Sequence, residues 1–289
     1  MTVSAAFRCR SREVCLDILG KISKASVCVG AAGMLLCALA GTVSAAEPQL
    51  VSFRSGDLEL RGFVFKPQGN GPFPAVLYNH GSEKLPGSKP EIGNFFAANG
   101  YVLFVPHRRG QGRSPGTYIM DALSGASRMA RGPLMVRLLD QQSQDVVAAL
   151  DFLKKQAYVD PGRIAVAGCS FGGIQTVLAA EKDLGLRAAV AFAPGAMTWR
   201  ESTDIQARLI EAARRATVPV FLIQAENDYD LSPTQVLSKE MEQAGKAHRA
   251  KVYPPYGETQ SDGHGGFCGR GVAVWGNDVL SFLASALGR

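Results

Sequence analysis

The sequence has few of the features that hold a protein together without a packed core. Of its 6 cysteines, Cys9, Cys15, Cys28 and Cys37 precede residue 47, so only Cys169 and Cys268 remain for the rest of the chain. Two cysteines are too few for a disulfide scaffold or a four-cysteine zinc site. Charged residues make up only 19%, and the 31 basic ones form no dense block, which excludes a nucleic-acid-binding arm and nucleic acid as a partner. Long apolar runs are also missing. The one candidate, Val27 to Gly41, is shorter than the roughly 20 residues of a membrane span, and a polytopic membrane protein is excluded. What is present is a hydrophobic fraction of 46% in 289 residues, enough for one large core and too much for a disordered or collagen-like chain.

Residues 1–46 read as a leader. Arg8, Arg10, Arg12, Lys21 and Lys24 precede the apolar run, and the small residues Val43, Ser44, Ala45 and Ala46 follow it before Glu47-Pro48. A basic start, a short apolar centre and a small-residue end make a secretory signal with cleavage after Ala45 or Ala46. The mature chain is then expected to be secreted or periplasmic, without a membrane span; an uncleaved anchor is the alternative. The leader carries only Glu13 and Asp17 against its five basic residues, so part of the formal charge of +6 leaves with it.

From residue 47 to 289 no repeat, linker or low-complexity stretch interrupts the chain, which makes one domain. Apolar alternation on either side of Ser55-Gly56-Asp57 predicts an antiparallel hairpin. Six continuous apolar runs follow, at Phe73, Tyr101, Arg163, Arg187, Val218 and Ala250, as expected of strands covered on both faces. Helical spacing fills the gaps: Ile92, Phe95 and Phe96 before Gly100; Val146, Val147, Leu150 and Leu153; Val236, Leu237 and Met241; Val279, Leu280 and Leu283. Alternating strands and helices predict an α/β fold: a mostly parallel twisted sheet of about eight strands, helices on both faces, and an antiparallel hairpin at its start. Residues 118–139, with Gly125, Gly132 and Pro133, fit neither period and read as a flap or insertion containing helical pieces.

The string Gly168-Cys169-Ser170-Phe171-Gly172 lies between the strand IAVA and the helical stretch IQTVLAAE. In that strand-turn-helix setting G-x-S-x-G lifts the serine hydroxyl clear of the sheet edge and leaves the next backbone N–H, that of Phe171, free for an oxyanion. A serine needs a base to take its proton and a carboxylate to orient that base. Of 4 histidines, His264 follows the last strand and so shares the edge of Ser170, whereas His248 sits where that strand begins. His80 and His107 end earlier strands, and a structural role beneath the adjoining loop is expected for His80. After VPVFLIQ both Asp228 and Asp230 qualify as the acid, with Glu226 behind them; Asp230 would otherwise cap the helix that follows.

The stretches YNHGS, HRRGQGRSPG, VDPGRIAVAGCSFGG, VFLIQAENDYDLSP and DGHGGF, in this order, resemble the α/β-hydrolase superfamily, and within it the dienelactone-hydrolase-like group with its prolyl-oligopeptidase-type relatives. The resemblance implies the α/β-hydrolase fold, Asp228 as the acid, and the Ser82 amide as second oxyanion donor beside Phe171. It implies no cofactor and no metal. The chain departs from dienelactone hydrolases proper, which use a cysteine nucleophile: Ser170 holds that place and Cys169 the one before it. His107 stands where the loop after the fourth strand often has aspartate. Cys169 and Cys268 are expected as two small buried thiols, an oxidised pair being the alternative that an exporting compartment allows.

The leading expectation is therefore a secreted serine hydrolase cleaving a small-molecule carboxylic ester through an acyl-enzyme on Ser170. A prolyl-oligopeptidase-type peptidase and a non-catalytic binding member of the fold are the alternatives. The wall around Ser170 is expected from the flap, with Tyr118, and from Met197 and Trp199 after the fourth parallel run. These apolar groups of middling size suit small to medium acyl chains.

Overall fold

In the computed structural model, residues 47–288 are described; the expected signal peptide lies outside them. β1 (Gln49–Ser55) and β2 (Leu58–Phe65) pair antiparallel across the two-residue turn that the alternation predicts. β3 (Phe73–Asn79), β4 (Val102–Pro106), β5 (Val159–Cys169), β6 (Ala188–Phe192), β7 (Val220–Ala225) and β8 (His248–Tyr253) supply the six expected runs. The sheet order is β1-β2-β4-β3-β5-β6-β7-β8, antiparallel as far as the β2–β4 pair and parallel thereafter.

Each apolar run serves both faces because successive side chains point to opposite sides of a strand. In β5, Ile164 and Val166 enter one core while Ala165, Ala167 and Cys169 enter the other. The helices divide in the same way. α1 (Pro90–Ala98) and α8 (Val272–Leu287) cover one face with Ile92, Phe96, Trp275, Val279 and Leu283. The other face is covered by α2 (Ile119–Ser124), α3 (Arg128–Lys154), α4 (Phe171–Ala180), α5 (Thr203–Arg214) and α6 (Ser232–Gln243), through Leu123, Leu139, Ile174, Leu209 and Leu237 among others.

Two helices differ from the sequence expectation. α3 begins at Arg128, so the helix expected over 145–155 is the second half of a longer one, and residues 118–139 are α2 plus the start of α3. Gly132 and Pro133 oppose helix locally, but Met135 and Leu139 are buried in the same core cluster as Ile205 and Leu209, and this packing overrides propensity. α5 has no counterpart in the sequence expectation. Its buried Ile205, Leu209, Ala212 and Ala213 keep a helical period, and the Ser202 hydroxyl accepts from the Ile205 N–H at 3.3 Å as its cap.

β3 lies between β4 and β5, so the chain leaves β3 toward one side and returns on the other. The loops after β3 and β5 thereby open a crevice at the carboxyl edge of the sheet, where open α/β folds place their ligands.

Candidate active site

Ser170 occupies the turn between β5 and α4 with φ 58° and ψ −118°, a left-handed backbone that a non-glycine residue adopts at a cost of about 1–3 kcal/mol. Packing enforces the strain. The Ser170 N–H donates to the Phe192 carbonyl at 3.0 Å, the Ser170 carbonyl accepts from Ile174, and α4 is buried along its whole length. The turn also passes so close to β3 that a Cβ on Gly172 would sit 1.9 Å from the Asn79 carbonyl oxygen, which restricts that position to glycine.

The loop after β3 passes over the same spot, because a Cβ on Gly81 would lie 3.5 Å from Ser170 Cβ. Among the described residues neither the Ser82 N–H nor the Phe171 N–H has an acceptor. The Ser82 carbonyl does have a partner: the Tyr118 hydroxyl donates to it at 2.6 Å. Lys84 reaches back to Asp121 of α2 at 2.9 Å. Tyr118, expected in the pocket wall, is thus tied to the loop over Ser170 through its own hydroxyl.

His264 lies in a π-helical turn, Asp262–Gly266, and its Nδ1 is 2.8 Å from Asp228 Oδ1. A carboxylate oxygen accepts, so Nδ1 is the donor in this pair. Nε2 is buried and has no partner among the described residues. Asp228 is itself well held: Oδ1 also accepts from the Tyr229 N–H at 2.6 Å, and Oδ2 from Gln224 Nε2 at 3.0 Å. The neighbouring Asn227 bridges to the histidine loop, donating to the Tyr256 and Thr259 carbonyls and accepting from the Tyr256 N–H.

The other acid and base candidates are engaged elsewhere. Asp230 takes Arg200 Nε at 3.0 Å and the Ser232 N–H at 2.9 Å at the start of α6. Burial alone would raise its carboxyl, but the bonds from Ser232 and Arg200 outweigh burial and hold it below the usual range. Glu226 is exposed. His248, at the opposite sheet edge, contacts the Lys246 carbonyl and the Ser238 hydroxyl. His80 is fully buried, its Nδ1 3.0 Å from the Gly81 carbonyl; burial first, and Arg108 second, push its pKa far down and keep the ring neutral. His107 links the Gly87 carbonyl to the Arg113 N–H.

Cys169 and Cys268 form a disulfide with Cα atoms 6.0 Å apart, which corrects the expectation of two free thiols. The strand bearing Cys169 and α7 (Phe267–Arg270) bury both cysteines in one core, where β5 topology brings together residues that the sequence keeps far apart. Trp199 is buried in the core cluster that includes Ile119 and Met135, whereas Met197 is half exposed. Beside them, a cavity of about 420 Å³ is lined by Arg128, Arg131, Gly132, Met135, Thr198, Arg200, Glu201 and Ser202. Among the described residues no group of three or more metal-ligating side chains assembles, and no helix is long and apolar enough to cross a membrane.

Sequence reasoning did not find Gln224, Asn227, Arg108 or Gln111. Gln224 and Asn227 both precede Asp228 within the string IQAEND, and that nearness is the only signal the sequence offers.

Residues 60–259 match the family model described as the dienelactone hydrolase family. The chain is 28% identical over 214 residues to protein usf of Aquifex pyrophilus, covering 71% of this chain and 83% of the relative. Among solved structures it is similar to an acylaminoacyl peptidase of Pyrococcus horikoshii (TM-score 0.58, 20% identity, 75% of this chain), although it spans only 38% of that longer protein. It is also similar to an esterase of Pyrococcus furiosus, with TM-score 0.63 and 16% identity over 85% of this chain and 93% of the esterase. At these identities the structural likenesses establish the α/β-hydrolase fold.

Proposed function

The chain belongs to the dienelactone hydrolase family, and from that premise we propose that it is an exported serine hydrolase of small carboxylic esters, with Ser170 as nucleophile, His264 as base and Asp228 as acid. The observation that carries this reading is the setting of His264: its Nδ1 lies 2.8 Å from Asp228 Oδ1, while Nε2 is buried and has no partner among the described residues. A histidine oriented by a carboxylate at one ring nitrogen and unengaged at the other is placed to take a proton from a hydroxyl as a general base.

In the proposed mechanism Ser170 Oγ attacks the ester carbonyl as its proton passes to His264 Nε2. The carbonyl oxygen becomes an oxyanion, which receives hydrogen bonds from the Ser82 and Phe171 amides at the dipole-positive end of α4. His264, now an imidazolium facing Asp228, returns the proton to the leaving alkoxide. Water then attacks the acyl group on Ser170 by the same route, and the carboxylic acid leaves. Each of these steps uses only protein groups and water. Export is supported by the leader pattern and by the Cys169–Cys268 disulfide, a bond that persists in oxidising compartments.

The test is a fluorophosphonate probe followed by peptide mapping, with a nitrophenyl acetate burst measured in parallel. The proposal expects the label on the peptide containing Ser170 and a burst of one nitrophenol per chain. A protein that is inert to both would be a binding member of the fold. Faster cleavage of an aminoacyl-nitroanilide than of the ester would make it a peptidase.

A further inference from the structure

Arg108 is almost completely buried, and no carboxylate hydrogen-bonds to it: of the two acids whose charge reaches it, Glu83 pairs with Lys89 and Asp145 is occupied by Arg109 and the Ser55 hydroxyl. The hydrogen-bond partners of the Arg108 guanidinium are all neutral: the Gly81 carbonyl, Gln142 and, at 3.3 Å from Nη2, His80 Nδ1, while Nη1 has no partner among the described residues. Nη2 donates to the Gly81 oxygen at 2.7 Å, while Nε is fixed by Gln142 Oε1 at 3.1 Å. His80 Nδ1, 3.0 Å away, and Gln111 Nε2, 3.3 Å away, complete the set around that oxygen. Burial pulls the guanidinium pKa down to about 10, which leaves it charged at neutral pH.

A fully buried cation aimed at a neutral acceptor is an expensive way to hold a loop, since a buried charge is ordinarily paired. The position of the carbonyl gives it a use. Gly81 C=O and Ser82 N–H belong to one trans peptide, so the two groups point in opposite directions in one plane. A donor that fixes the oxygen therefore fixes the direction of the N–H. A positive charge at the oxygen end also draws electron density through the amide and strengthens the N–H as a donor. On the other side of Ser82, the Tyr118 hydroxyl holds the next carbonyl, so both peptides flanking this residue are fastened.

We propose that Arg108 is a positioning residue for ester hydrolysis, acting through the Gly81–Ser82 peptide: its guanidinium aims the Ser82 N–H at the developing oxyanion and strengthens that donor. This rests on the esterase reading, and the benefit belongs to the transition state, because the oxygen becomes negative only there.

The experiment compares wild type, Arg108→Met, Arg108→Lys and Tyr118→Phe on matched nitrophenyl oxo- and thionoesters. Sulfur is larger than oxygen and a weaker acceptor, so the oxo/thiono rate ratio reports the quality of the oxyanion site. Arg108→Met is expected to lower kcat about 10- to 100-fold with KM changed less than about threefold, and to shrink the oxo/thiono ratio. Arg108→Lys is expected to recover part of both, and Tyr118→Phe, which loses only a hydroxyl at a half-buried position, to show a smaller loss of the same kind. If Arg108→Met does not fold, the other two variants carry the comparison. A drop in kcat with an unchanged ratio would make Arg108 structural only and overturn the proposal, as would kcat within twofold of wild type in every folded variant. Wild type inert to both ester and fluorophosphonate would instead overturn the esterase reading, and this proposal with it.

Discussion

Cys169 and Cys268 are joined across a sequence separation of 99, and the bond ties the residue before Ser170 to α7, four positions after His264. Two sheet-edge loops that carry the proposed nucleophile and base are therefore covalently connected. Asn227 adds a second, non-covalent tie between the loop of Asp228 and that of His264.

Removing this bond should affect both stability and turnover. Disulfides typically stabilise by about 2–4 kcal/mol and a loop of this length lies at the upper end of the range, so the Cys169→Ala, Cys268→Ala double variant should unfold at clearly lower denaturant. Freed of its tether, His264 should be placed less accurately, and kcat should fall more than KM changes. A chain starting at Glu47 should show no titratable thiol when denatured without reductant. Two thiols per chain in that assay would remove the basis for the prediction.

Ser170→Ala should reduce ester hydrolysis on the order of a thousandfold or more while leaving the fold intact. The strained backbone adds a second expectation. Glycine tolerates φ 58° where alanine does not, so Ser170→Gly should be equally inactive yet melt later than Ser170→Ala, by about 1 kcal/mol. Residual turnover above a tenth of wild type would place the nucleophile elsewhere. An earlier melt for the glycine variant would show that the turn is not strained.

The two aspartates should separate by role. Asp228→Asn removes the acceptor that dictates the His264 tautomer, and a loss approaching ten-thousandfold is the expected scale. Asp230→Asn loosens Arg200, whose side chain is 77% exposed, and one N–H at the start of α6, so most activity should remain. Steady-state kinetics on the two purified variants decides, and the reverse ranking would move the acid to Asp230.

The eight strands, the elbow and the edge on which His264 lies were legible because each depends on local pattern: continuous apolar runs, a glycine-flanked serine, a histidine beyond the last strand. The start of α3 was hidden by Gly132 and Pro133, whose local preference yields to packing against α5. Arg108 was hidden for a different reason. Its partners Gly81 and Gln142 lie 27 and 34 residues away, and nothing in HRRG distinguishes the arginine that turns inward from Arg109, which pairs with Asp145. The disulfide stood in the sequence only as the alternative to two free thiols, because a separation of 99 residues says nothing of whether Cys169 and Cys268 share a core until the fold is known.

Substrate size is the remaining expectation. Between β6 and β7 the chain forms only a short turn at Trp199–Glu201 and α5, whose buried face packs into the core, so this connection builds no apolar lid over the crevice. The cavity beside that turn is about 420 Å³ and lined largely by polar groups, Arg128, Arg131, Arg200 and Glu201 among them. Long alkyl chains gain by leaving water for an apolar channel, roughly 0.8 kcal/mol per buried CH₂, and a polar wall offers little of that gain. A nitrophenyl ester series from acetate to palmitate, each at equal soluble concentration, should therefore peak at short to medium chains and show no jump in rate when substrate begins to form an oil interface. A kcat/KM that climbs steadily beyond octanoate would mean that an apolar channel forms when substrate binds, and the enzyme would then be a lipase.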